Sequence, residues 1–201
     1  MASLRFALVA IALAAGLANA SPLAPRSGAE FTTLTTPQPT QAVGKQVEVI
    51  EFFAYHCGAC NAFEPTLVDW AKKQGDRIVM RRIPLPFQGP LDPQARLYLT
   101  LEAMGKLDEY HHRVFRAVHV ERKRLMKDGE IIAWAAANGL DKEKFLATWS
   151  SLGVQARLKR LAQVADAYKV SGTPTVVVDG RYLVSPDAVW QASKIGTSAS
   201  S

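Results

Sequence analysis

The sequence predicts an α/β domain in which one mixed sheet is interrupted by an all-helical insertion. Three features predict it: a strand–helix–strand succession from Val47 to Ile83, a series of helical patterns from Pro93 to about Tyr168, and two β runs joined by Asp179-Gly180. The first is a βαβ unit, which implies parallel strands and a right-handed crossover. The last is a hairpin whose Asp-Gly pair favours a type I′ turn. The two halves of the sheet therefore flank the helices.

Residues 1–20 are expected to be a signal peptide. Arg5 supplies a positive start, Phe6 to Ala18 an apolar run, and Ala18-Asn19-Ala20 a cleavage site before Ser21. The alternative, an uncleaved anchor, is disfavoured by a run shorter than the roughly 20 residues of a membrane span. Pro22, Pro25, Ser27 and Gly28 make residues 21–30 a flexible leader, and Phe31 to Thr35 reads as a short edge strand before Pro37 and Pro39. Val47 to Ala54 (VEVIEFFA) is dense in β-branched and aromatic residues, which suits a strand buried on both faces. A helix follows to about Gln74, with Ala62, Phe63, Leu67, Trp70 and Ala71 at helical spacing, and then a strand from Arg77 to Ile83. Within an insertion of about residues 84–169, helices are expected at 93–104, 106–119, 128–138, 141–150 and 154–168, with Gly105, Gly139 and Gly153 as boundaries. The domain as a whole spans 31–195, and 196–201 is a small polar tail.

Removing residues 1–20 leaves about 180 residues, the size of one domain, and a hydrophobic fraction of 48% can build a core. Loss of Arg5 takes the net charge from +6 to +5. The densest basic run, Glu121 to Lys127, lacks the interleaved aromatics of a nucleic-acid platform and reads as a solvated helix face. No nucleic-acid partner is expected, and the chain reads as a monomer. Only two cysteines are present, two residues apart. A bridge across so short a loop contributes little stability, so the pair points to chemistry.

Cys57-Gly58-Ala59-Cys60 lies where a buried strand feeds the first turn of a helix. Unsatisfied N–H groups and the positive end of the helix dipole favour a thiolate there. Cys57 is then the attacking thiol, and Cys60, one turn on, the resolving thiol. His56 could add an imidazolium beside the sulfur or be an exposed residue without a role. Glu51 is an acid inside an apolar strand: if buried it should carry a raised pKa and could relay protons to the dithiol, unless that end of the strand is wet. Thr173-Pro174 opens a strand, where a cis X-Pro bond is tolerated, though a strand-initiating proline needs no further role. A zinc site would need ligands beyond one cysteine pair, and a purely structural disulfide is the other alternative.

These residues resemble the thioredoxin superfamily and, within it, the periplasmic DsbA-type thiol:disulfide oxidoreductases. The resemblance runs through the F-T-T-L strand, E-F-F-A-Y-H-C-G-A-C-N-A-F-E, the helical insertion and S-G-T-P-T-V-V-V-D-G-R-Y. It implies a thioredoxin-like mixed sheet, a redox-active Cys57–Cys60 disulfide with no other cofactor, and Pro174 as a cis-proline packed on that disulfide. It also implies Thr173 as a backbone partner of bound polypeptide, Glu51 as the family's buried acid and Arg82 as its basic partner. Two departures stand out. Gly58-Ala59 replaces the family's Pro-His, and Pro65 lies where thioredoxin, a reductant, kinks its active-site helix. A protein less oxidising than the family's best-known member is expected. Only Pro186 to Ile195 remains where the family carries a long terminal helix.

The function expected is oxidation of reduced, unfolded exported polypeptides in the periplasm. Recycling by a quinone-linked membrane oxidase of the DsbB type is implied by the resemblance. A periplasmic reductase is the alternative that Gly58-Ala59, Pro65 and Thr173 favour. A metal carrier using the cysteine pair and His56 is the alternative from another class.

Overall fold

The computed structural model describes residues 30–185, with Pro25, Ser27, Gly28, Asp187 and Ala188 besides. The expected signal segment, most of the leader, the remainder of Pro186–Ile195 and the polar tail lie outside the described residues.

The sheet is organised around β2 (Val47–Phe53), in which six of seven residues are buried. It pairs in parallel with β3 (Ile78–Pro84), with Glu51 opposite Arg82, and antiparallel with β4 (Thr175–Val178), with Glu51 opposite Val176. A strand paired on both edges and covered on both faces reads as a near-continuous apolar run. Glu48 and Glu51 interrupt it, and neither is exposed. β5 (Tyr182–Val184) returns beside β4 and carries the short β1 (Thr32–Thr33) at its edge, giving the order β1-β5-β4-β2-β3. Asp179 and Gly180 both take positive φ, 54° and 60°, as a type I′ turn demands.

The crossover from β2 to β3 is α1 (Gly58–Gln74). The insertion is α2 (Pro93–Ala103), α3 (Leu107–His119), α4 (Asp128–Ala137), α5 (Lys142–Trp149) and α6 (Leu152–Ala167). Asp92, Asp141 and Ser151 cap α2, α5 and α6 by accepting from Ala95, Lys144 and Val154 amides. Gly105 and Gly139, with φ of 66° and 88°, follow α2 and α4 as expected. Gly153 does not bound a helix: the Ser151 cap starts α6 before it, because a hydroxyl satisfies an orphan amide that glycine cannot. The basic run is not a helix face either. Positive φ at Arg122 and Leu125, 59° and 50°, breaks helical geometry, and buried Leu125 anchors residues 121–127 as a loop between α3 and α4.

Phe53 joins the sheet to the insertion. Its ring lies 5.1–5.9 Å from the rings of Tyr55, Tyr98, His111 and Phe115. Burying one such phenylalanine contributes about 1.5–3 kcal/mol. Among the described residues, no helix is long and apolar enough to cross a membrane.

Candidate active site

β2 ends at Phe53, and the chain turns through Ala54, Tyr55 and His56, where the Cys57 amide donates to Ala54 O at 3.1 Å. Cys57 is the N-cap of α1: its backbone is extended, and its Sγ accepts from the Cys60 amide at 3.1 Å. Sulfur thus takes the place that a serine or aspartate oxygen takes in an ordinary cap. Both thiols are free, Cys57 part-exposed and Cys60 fully buried. The Cys57 thiol is pulled down to about 6. The hydrogen bond from the Cys60 thiol is the main cause, helped by the Thr173 side chain and the Cys60 and Ala59 amides, against burial. The Cys60 thiol is pushed up, because its proton is held against Cys57 and the group is desolvated. At neutral pH the pair is one thiolate and one thiol.

Thr173 and Pro174 close the other side. Their peptide bond is cis, and Thr173 O lies 3.6 Å from Cys57 Sγ. The Thr175 hydroxyl holds the loop by donating to Gly172 O at 2.8 Å.

Beneath the pair lies a buried ionic chain. Burial, more than any neighbour, raises the Glu51 carboxyl to about 8; Glu64 and Cys57 push the same way, and Arg82 opposes. Arg82 bridges two acids, with Nε 3.1 Å from Glu51 Oε2 and Nη2 2.7 Å from Glu64 Oε1. Glu64 is nearly as buried, yet the nearby His111 and Arg82 outweigh desolvation and its carboxyl is lowered. One guanidinium therefore serves two carboxyls of opposite habit: Glu64 ionised, Glu51 protonated near neutrality. Glu51 Oε1 and Glu64 Oε2 are both buried without a hydrogen-bond partner, so it is the balance of burial against Arg82 and His111 that sets the two carboxyls apart.

His111, lowered by burial, places Nδ1 2.9 Å from the Tyr55 hydroxyl and Nε2 3.6 Å from Glu64 Oε1. A neutral ring with its proton on Nε2 and Tyr55 donating to Nδ1 fits both contacts. His119 donates from Nε2 to Tyr55 O at 2.7 Å. Two histidines of α3 thus clamp the residue two before Cys57. The sequence reading missed Glu64, His111, His119 and Gln94. Glu64 stood inside the quoted block, and the histidines' alignment with Phe115 on one face of α3 was the available signal.

His56 goes elsewhere. Its N and Nδ1 both meet Gln94 Oε1, at 3.0 and 3.1 Å, and its ring stands edge-on to Phe87. Among the described hydrogen bonds none joins His56 to a cysteine sulfur. No group of three or more His, Cys, Asp or Glu residues among those described could hold a metal.

A family model described as a DSBA-like thioredoxin domain matches residues 91–200, which are the insertion and the chain that follows it. The "Thiol:disulfide interchange protein DsbA" of Burkholderia cepacia is 39% identical over 179 residues, 89% of this chain and 84% of that protein. That span leaves 22 residues outside it, so it contains Cys57, Cys60 and Pro174 wherever it starts. The crystal structure of Pseudomonas aeruginosa DsbA superposes with a TM-score of 0.72 at 34% identity, covering 85% of this chain and 92% of that one. The oxidoreductase DsbA from Xylella fastidiosa gives 0.74 at 26% identity, covering 87% and 97%.

Proposed function

The chain belongs to the DsbA family of thiol:disulfide interchange proteins, and from that premise we propose that Cys57 and Cys60 are the pair through which it introduces disulfides into other polypeptides. The observation that carries the assignment is the Cys57 sulfur seated as the N-cap of α1 and lowered to about 6. A stabilised thiolate stabilises the reduced protein, so electrons flow from substrate to the pair, and it makes Cys57 a good leaving group.

In the first step a substrate thiolate attacks Cys57 Sγ of the oxidised pair. The Cys57–Cys60 bond breaks, and Cys60 leaves as a thiolate that must take up a proton. The Glu51 carboxyl, protonated near neutrality and coupled electrostatically to Cys57, is the group we assign to supply it. A second substrate thiolate then attacks the substrate sulfur of the mixed disulfide and expels Cys57. The substrate dithiol gives up two electrons and two protons; the pair takes both electrons and one proton, held on Cys60, while Cys57 stays a thiolate and the other proton goes to solvent. Thr173 and Pro174 are assigned to hold the substrate backbone beside the sulfur. His56 is assigned to orient the approach from its seat on Gln94, since its ring does not reach the sulfur by a hydrogen bond.

We place the protein in the periplasm, exported by a cleaved segment of residues 1–20, on the pattern of Arg5, Phe6–Ala18 and Ala18-Asn19-Ala20. A DsbB-type membrane oxidase would restore the disulfide. The test is a Cys60→Ala variant, activated as a mixed disulfide at Cys57 and offered a reduced peptide. With a peptide of one cysteine, the peptide thiolate should expel the activating thiol and remain bonded to Cys57, since no Cys60 thiol is there to release it, while Cys57→Ala forms no mixed disulfide. A Cys57→Ala variant that still oxidises a dithiol peptide would overturn the assignment.

A further inference from the structure

Beside the redox pair lies a surface that the exchange chemistry leaves unexplained. Residues 116–127 carry five basic side chains, Arg116, Arg122, Lys123, Arg124 and Lys127, against one acid, Glu121. Glu121 is already engaged, 2.9 Å from Lys123 and 3.6 Å from Arg116. Arg122, Lys123 and Arg124 are all exposed on the loop between α3 and α4.

The loop is tied to the redox centre through one side chain. Gln94 takes the backbone and ring nitrogens of His56 on Oε1 and donates from Nε2 to Arg124 O at 3.0 Å. Gln88 adds a second tie, from Nε2 to Met126 Sδ at 3.5 Å. Buried Leu125 pins the middle of the loop. Apolar residues exposed in solvent flank it: Phe87, 51% exposed and packed edge-on to His56, and Val120, 69% exposed at its start. Exposed apolar side chains beside a loop of net positive charge, even with Glu130 Oε2 accepting from the Met126 amide at 3.0 Å, have the make-up of a recognition surface.

We propose that the 121–127 loop is a docking surface for polypeptide substrates that carry acidic side chains near the reacting cysteine, drawing them to Cys57 by charge. The inference rests on the exchange at Cys57 proposed above and adds to it a preference among substrates. Exposed charge pairs are individually weak, but a cluster beside the reacting atom raises the encounter rate with oppositely charged partners, and salt removes that gain.

The test uses the oxidised full chain and three reduced dicysteine peptides that differ only in residues flanking the first cysteine: acidic, uncharged or lysine. Each rate is divided by that peptide's rate with a small uncharged disulfide, which removes differences in thiol reactivity. At low ionic strength the acidic peptide should react about five-fold or more faster than the uncharged one and the lysine peptide slower, with the spread collapsing near 1 M salt, where the Debye length is about 3 Å. R122E/R124E should reverse the order and leave the uncharged peptide's rate unchanged. Equal rates at low salt, or an acid preference that survives the reversal, would overturn the proposal. So would equal rates accompanied by loop-dependent binding to anionic phospholipid vesicles, which would assign the loop to a membrane. Direction is read separately. Were the reduced protein to reduce the oxidised peptides instead, the oxidase reading would fall, while an acid-over-lysine order would still uphold the surface.

Discussion

The chemistry of the site is decided by which atoms reach one sulfur. Cys57 Sγ accepts from the Cys60 amide and takes a hydrogen bond from the Cys60 thiol. The folded reduced protein therefore holds Cys57 at about 6 against an ordinary 9. A thiol with a lowered folded pKa contributes stability that is fully present above the unfolded value and is lost as pH falls through the folded one. The Cys57 contribution should thus grow from about pH 6 to 9, and the ultraviolet absorbance of its thiolate should titrate near 6. Chemical unfolding of the reduced wild type and of reduced Cys57→Ala checks it: the stability difference between them should rise across that range, whatever Glu51 contributes to both. Glu51 works in the opposite sense: raised from 4.5 to about 8, it withdraws stability as pH climbs between those values. Glu51 was legible in the sequence as an acid in an apolar strand. Glu64, His111 and His119 were not, because their roles depend on Arg82 and Tyr55, which reach them from other elements.

At the scale of elements, the sheet was legible nearly to the residue and the insertion in its helix count. β2 and the Asp179-Gly180 turn are dictated by local chemistry. The turn also makes a tertiary contact that no local pattern announces: a Cβ at Gly180 would fall 2.2 Å from Gln38 O, in a segment where Gln38 N donates back to Gly180 O at 2.8 Å. Gly180→Ala adds that clash to an unfavourable positive φ and should destabilise the fold by about 2 kcal/mol or more, measurable by urea unfolding. Wild-type stability in that variant would show that the β4–β5 hairpin is free to move away from residue 38. The misplaced Gly153 boundary and the 121–127 loop have the same origin. Glycine and basic residues are weak signals, overridden by the Ser151 cap in one case and by the burial of Leu125 in the other.

The whole molecule joins a sheet that carries the cysteines to a helical block that clamps the approach to them, through Phe53, Tyr55, His111 and His119. Membership of the DsbA family identifies the reaction, while Gly58 and Pro65 are the residues whose resemblance to thioredoxin raises the expectation of a weaker oxidant. The lowered Cys57 thiol stabilises the reduced pair and favours oxidation of substrates. The most direct test is equilibration of the full chain with glutathione. The potential should lie well above that of thioredoxin, near −270 mV, and below the roughly −120 mV of the family's strongest oxidant. A value at or below about −270 mV would contradict the account and make the protein a reductase.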